Sequence, residues 1–221
     1  MNKELDRRVL IVTSVAAERD AVLRGLNGDG RYEVLIGGVG VAAAAISTAK
    51  ALTKSEYGLV VCAGIAGGFA EQAAVGDVVV ASEIIAADLG AEMPQGFTSV
   101  DELGFGSARV AVPAQLAERC AAALQAAQQP AVLGPVLTLS TVTGTAATAQ
   151  ALAARVPGAA AEAMEGFGVA LAAHDAGLPA LELRAVSNAV GPRDRAAWRI
   201  KEALAALESA SAVLREVLIA Q

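Results

Sequence analysis

The 221-residue sequence predicts an α/β fold in which a sheet is covered by helices on both faces. Two observations carry this expectation. Short runs that are β-branched or continuously apolar recur along the chain, and helical segments separate them. The strands also read as apolar throughout, which is the pattern of a sheet buried on both faces. A third observation bounds the organisation. The chain has no linker, repeat or low-complexity segment, so residues 1–221 are expected to form one domain, long enough to bury a substantial core.

In chain order, Arg8–Val15 reads as a strand through Val9-Leu-Ile-Val and leads into a helix, Ala17–Leu26. Tyr32–Val39 and Gly58–Ala63 are the next strands, with a helix over Val41–Lys54 between them. Gly76–Ala87 has the clearest start, because Gly76-Asp77 marks a turn directly ahead of Val78-Val-Val. Arg109–Val112 is a short strand followed by the helix Pro113–Gln128, and the strand Val132–Ser140 is followed by the helix Ala146–Arg155. Met164–Ala176 is expected to be helical, Pro179–Ser187 to be a strand, and Asp194–Ala220 to form the last helix. Short apolar runs do not by themselves separate a buried strand from a piece of helix.

Composition narrows the function. Hydrophobic residues make up 55% of the chain, but alanine and valine carry that figure, and both suit a tightly packed α/β core. The run Gly58–Ala70 is shorter than the ~20 residues of a spanning helix and contains four glycines, so no membrane association is expected. The amino end, Met1–Arg8, is charged and carries no apolar signal core, which points to the cytoplasm. Cys62 and Cys120 lack metal-ligand spacing and read as buried free thiols. A net charge of −6, with no basic cluster larger than Arg193–Lys201, argues against a nucleic-acid surface.

Four places combine chemistry with the right position. Glu18 follows the first strand and falls in the first turn of the next helix, where the dipole also favours a carboxylate. In open α/β sheets, ligands bind at the carboxyl ends of strands. Gly64-Ile65-Ala66-Gly67-Gly68 follows the third strand, and its glycines allow a ligand close to backbone amides. Met164-Glu165 precedes Gly166 and Gly168, each of which lowers helix propensity by ~1 kcal/mol. That cost implies either close packing or ligand approach. Asn188 ends a strand, and its amide can turn NH₂ toward the N7 and O6 acceptors of a 6-oxopurine.

These segments resemble the purine nucleoside phosphorylase and nucleosidase superfamily. The resemblance implies a three-layer α/β/α nucleoside phosphorylase-like fold with a central mixed sheet. It also implies roles: Glu18 activates the attacking water, Met164-Glu165 holds the ribose, and Asn188 reads the base. An ionised Asp at this position would accept from the amino group of adenine but oppose O6, so Asn188 points to hypoxanthine or guanine rather than adenine. The glycine loop resembles the nucleosidase loop Gly-Ser-Ala-Gly-Gly, with Ile65 replacing Ser. Phosphorolytic relatives place an Arg in or just before this loop, where Cys62, Ala63 and Ile65 stand here. Water is therefore the expected nucleophile.

Ser187-Asn188-Ala-Val-Gly-Pro-Arg193-Asp, followed by Arg195 and Trp198, resembles the futalosine hydrolase branch of the superfamily. This implies release of hypoxanthine from futalosine in an alternative menaquinone pathway. Arg193, Arg195 and Trp198 would then face the carboxylated tail of the substrate. Ile65, Ala66, Gly67 and the loop residues Thr141, Val142 and Thr143 are expected to complete the pocket. The resemblance implies a homodimer or larger homo-oligomer and requires no metal and no cofactor. A 5′-methylthioadenosine/S-adenosylhomocysteine nucleosidase and a non-catalytic nucleoside-binding protein remain the alternatives. Gly38-Val-Gly40-Val-Ala-Ala43 nearly matches a dinucleotide fingerprint, but it follows the second strand, and Glu56 precedes the strand it should follow.

Overall fold

The computed structural model describes residues 8–94 and 96–219. The charged amino end before Arg8 and the expected final residue of the last helix, Ala220, lie outside them. The strands are β1 (Val9–Thr13), β2 (Tyr32–Ile36), β3 (Leu59–Gly68), β4 (Val78–Ala86), β5 (Gly90–Met93), β6 (Gly96–Ser99), β7 (Arg109–Ala111), β8 (Ala131–Thr138), β9 (Ala161–Ala163) and β10 (Ala180–Ala189). The helices are α1 (Ala16–Leu26), α2 (Val41–Leu52), α3 (Val100–Leu103), α4 (Ala114–Ala126), α5 (Ala146–Arg155), α6 (Gly166–Asp175) and α7 (Ile200–Leu214).

The main sheet is mixed. β1 runs parallel to β2 and β3, β10 parallel to β3, and β8 parallel to β4 and β9. β10 meets β4, β3 meets β9, and β4 meets β7 in antiparallel pairs. β3 is long enough to change neighbours. Its first half pairs with β1, and its last residues, Gly67 and Gly68, pair with Glu162 and Ala161 of β9. Because β10 pairs with both β3 and β4, the strands β3, β10, β4, β8 and β9 curl into a closed ring, with β1 and β2 extending from it. α1 and α4 pack on α7, α2 packs on α6, and both groups rest on β3 and β10. The result is a helix–sheet–helix sandwich around a core that takes in Val78, Val79 and Val80 of β4, none of them exposed.

Most expected elements form, but their ends move: β3 continues through Gly68, so Gly64–Gly68 is strand and not a loop after it, and β10 runs on to Ala189. Three differences matter. The hairpin β5–β6 lies apart from the main sheet and consists of short, largely exposed strands, so no apolar run marked it. β9 is only three residues long, too short to be read from periodicity. The final helix does not begin at Asp194. Asp194 accepts from Ala196 N at 3.0 Å and caps a separate 3₁₀ turn, Arg195–Ala197, and α7 starts only at Ile200. Trp198 therefore sits in a connecting segment, which is tied down by Arg199 N donating to Ser187 O at 2.8 Å. Among the described residues, no helix is long and apolar enough to cross a membrane.

Candidate active site

The carboxyl ends of β1, β3 and β10 meet the segment between β9 and α6 around a cavity of about 310 Å³. Glu18, Ile65, Ala66, Gly67, Val142, Met164, Glu165, Asn188 and Trp198 all line it, so most of the residues singled out in the sequence converge. An adjoining cavity of about 100 Å³ shares Val142, Asn188 and Trp198 with it and adds Thr143 and Arg193. Thr141 is exposed and lines neither cavity, and the same holds for Arg195.

Glu18 is 3% exposed and held by backbone donors. Ile65 N donates to its Oε1 at 2.9 Å, while Ser14 N and Val15 N donate to its Oε2 at 2.9 and 3.3 Å. A carboxylate oxygen has two lone pairs, so Oε1 retains one for a further donor such as water. The close approach of β3 depends on Gly64, where a Cβ would lie 2.6 Å from Glu18 Oε1 and 2.8 Å from Arg184 Nη1.

Glu165 is not in the first turn of α6 but at its cap position, with φ −125 and ψ −31. It is 6% exposed, and Gly40 N donates to its Oε1 at 3.1 Å. Gly40 has φ 93, a conformation in which glycine carries no steric penalty, and this turn aims its amide at Glu165. The near-fingerprint Gly38–Ala43 thus supports a carboxylate. Gly166 and Gly168 mark close packing: a Cβ at the first would strike the Glu182 carboxyl, and one at the second the Val41 carbonyl.

Beneath both carboxylates lies Arg184, fully buried on β10. Its Nε donates to Glu182 Oε1 at 2.8 Å, and its Nη2 to Glu165 Oε2 at 3.3 Å. Burial alone would weaken its charge, but Glu182, Glu165 and Glu18 around it raise its pKa well above the ordinary value. Burial pushes the nearby Cys62 thiol up, so it stays protonated. Both cysteines are free and buried, and no cluster of potential metal ligands occurs among the described residues.

Asn188 sits at a β-bulge of β10, half-buried. Ser187 Oγ donates to its Oδ1 at 2.8 Å, and its Nδ2 donates to Ala189 O at 3.0 Å. This pattern turns the NH₂ away from Ser187. Arg193 stacks over the Trp198 ring at 5.2 Å and Arg195 at 6.0 Å; both arginines are exposed. No Lys or Arg lines the larger cavity.

Three residues in and beneath the site escaped the sequence reading. Arg184 and Glu182 alternate with Leu181 and Leu183, and an i, i+2 charge pair inside a buried strand is a legible sign of an internal ion pair. Glu162 stands in an otherwise alanine segment and lines the cavity only 5% exposed. Thr143 N donates to its Oε1 at 2.7 Å, and its Oε2 has no partner. Burial raises the pKa of this carboxyl, against the lowering effect of the Thr143 contact.

Comparison with known proteins agrees with this geometry. Residues 12–220 match the model of the phosphorylase superfamily. The chain is 53% identical over 230 positions to a futalosine hydrolase of Streptomyces coelicolor, covering 95% of this chain and 96% of that one. It is 48% identical to a futalosine hydrolase of Acidothermus cellulolyticus, covering 93% and 89%. Its fold superposes on the 5′-methylthioadenosine/S-adenosylhomocysteine nucleosidase of Neisseria meningitidis with a TM-score of 0.79 over 97% of this chain and all of that one, at 20% identity. The chain belongs to the phosphorylase superfamily and, within it, to the futalosine hydrolase family.

Proposed function

We propose that this protein hydrolyses the N-glycosidic bond of futalosine, releasing hypoxanthine and dehypoxanthine futalosine, a step of the alternative menaquinone pathway. The observation that carries the reading is the cavity itself, where Glu18 with a free lone pair, Glu165 and the Asn188 amide face one space without a lining cation. Glu18 takes a proton from water as its oxygen attacks C1′. The C1′–N9 electron pair leaves with the base, which takes up a proton and departs as neutral hypoxanthine. Glu165 accepts from the ribose hydroxyls, contacts that strengthen as C1′ gains oxocarbenium character. Met164 packs against the sugar. Asn188 donates toward N7 and O6, where charge accumulates on the departing base.

Ile65, Ala66 and Gly67 form the floor, and Val142 and Thr143 flank the base. Trp198 forms a wall toward the substrate tail, whose carboxylate Arg193 receives. Arg195 is a second cation on the same ring, and Thr141, which lines neither cavity, is given no contact with the substrate. The whole chain is read as one nucleosidase domain, since one apolar core runs from Val9 to Leu218. It is read as a cytoplasmic homo-oligomer, for which the exposed Phe105, Val39 and Ile46 offer apolar surface. No cofactor enters the reading.

The test is to identify the base released by the purified protein from futalosine and from 5′-methylthioadenosine in phosphate-free buffer. Hypoxanthine from futalosine alone supports the reading. Adenine, or no base until phosphate is added, overturns it.

A further inference from the structure

Glu182 lies beneath the cavity without lining it, and it is 0% exposed. It projects from β10 to the same side as Arg184, because residues two apart on a strand share a face. Its Oε1 accepts from Arg184 Nε at 2.8 Å. The other contacts of the guanidinium are longer. Nη1 donates to Ile65 O at 3.5 Å, and Nη2 donates to Cys62 Sγ at 3.2 Å and to Glu165 Oε2 at 3.3 Å. A guanidinium is planar and rigid, so the short Nε contact fixes where both Nη groups point.

The Glu182 carboxyl is itself locked. α6 begins with Gly166, directly after Glu165, and a Cβ there would strike both Glu182 oxygens. Glu182 Oε2 is buried with no partner. Stability alone is a poor reason to keep such a group, since an unpaired buried oxygen is costly and a buried ion pair gains little net energy. The contacts of Glu165 show what it serves. Gly40 N donates to Oε1 at 3.1 Å, while Met164 N and Arg184 Nη2 both donate to Oε2 at 3.3 Å. Two donors fill Oε2, and Oε1 keeps one lone pair for the cavity. Without Arg184, Oε2 is held by one long bond and the carboxylate is free to turn.

We propose that Glu182 is a positioning residue for ribose recognition: it fixes the Arg184 guanidinium, which holds Glu165 Oε2 and so keeps Oε1 toward the sugar hydroxyls. The inference rests on the proposed nucleosidase reading and deepens it. What Glu182 supplies is a placed acceptor. Burial raises its pKa while Arg184 lowers it, and its carbonyl oxygen accepts from Nε–H in either protonation state.

Two substitutions separate position from charge. Glu182→Leu removes the acceptor, whereas Glu182→Gln keeps an oxygen at the same reach without the charge. The ligands are the C-nucleoside analogue of inosine, whose sugar–base bond is carbon–carbon, and its 2′,3′-dideoxy counterpart. Their affinity ratio, measured by calorimetry, reports the hydroxyl contacts alone. In Glu182→Leu the ratio is expected to fall roughly 10-fold from the wild-type value, and in Glu182→Gln to stay within about 3-fold of it. A loss of packing alone would weaken both ligands equally and leave the ratio where it was. Where Glu182→Leu does not fold, Glu182→Asp keeps the charge but withdraws the oxygens by one methylene, and the same fall is expected. An unchanged ratio in the folded variant, an equal fall in Glu182→Gln, or no wild-type preference for the ribonucleoside overturns the proposal. If futalosine is not hydrolysed but the ratio still follows Glu182, the functional reading falls and this assignment stands.

Discussion

Arg184 Nη2 donates to Glu165 Oε2 at 3.3 Å inside the protein, with side-chain exposures of 1% and 7%. The carboxylate placed to hold ribose is therefore steered from below by a buried cation that never reaches the cavity wall. A salt bridge in this setting contributes positioning more than stability, because desolvation offsets much of the attraction. Its removal is another matter. Arg184→Met leaves Glu182 and Glu165 without their counter-ion and is expected to cost ~3–5 kcal/mol in urea unfolding. A loss under about 1 kcal/mol would mean that the buried carboxylates are neutral and the ion pair is not formed.

The Gly64→Ala variant tests the spacing between the two charged systems. The added methyl would come within 2.6 Å of Glu18 Oε1 and 2.8 Å of Arg184 Nη1. Overpacking of this kind costs ~1–3 kcal/mol. Because the strain falls on Glu18, turnover should drop further than the unfolding midpoint suggests. Full activity in Gly64→Ala would show that Glu18 has room the geometry denies.

Glu18→Gln keeps the shape but removes the base. The rate should fall by roughly 10²–10⁴-fold, the usual contribution of a general base, while substrate binding survives. Rapid-quench turnover alongside equilibrium binding separates the two effects. Unchanged turnover removes Glu18 from the mechanism.

Asn188→Asp replaces an amide donor with an acceptor beside Ser187. Activity on a 6-oxopurine nucleoside should fall, and any residual activity should shift toward 6-amino substrates. Comparison of kcat/KM on the two classes reads this directly, and undiminished hypoxanthine release would contradict the assigned role.

Glu162 also predicts a pH-dependent stability. Its folded-state pKa is raised, so the folded protein holds the proton more tightly than the unfolded chain does. The associated stability is present below the ordinary carboxylate range and is lost as pH rises through the raised value. Glu162→Gln removes that loss. Without ligand, the variant should be more stable than wild type at neutral pH, with the difference vanishing in acid. Thermal melts across the two conditions test it; a gain that grows toward acid has the wrong sign.

Much of this was legible in the sequence, for identifiable reasons. Long apolar runs such as Val9–Thr13 and Val78–Ala86 announce strands because both faces are buried. Glu18, Glu165 and Asn188 stood out because each is polar at the edge of such a run. β9 was hidden because three residues hold no period, and Glu162 was hidden with it. The ring closure rests on β3 exchanging β1 for β9 along its length, a long-range pairing that local pattern does not encode. Trp198 was assigned to a helix because Asp194 looks like the start of one; Asp194 does cap a turn, but the turn stops after Ala197.

The measurement that bears most directly on the central claim is turnover of futalosine in heavy-oxygen water, with and without phosphate, followed by mass analysis of the sugar product. The label is expected on C1′ with hypoxanthine released in equal amount, and phosphate is expected to change neither. A sugar 1-phosphate formed only when phosphate is present, with no label from water, would contradict it.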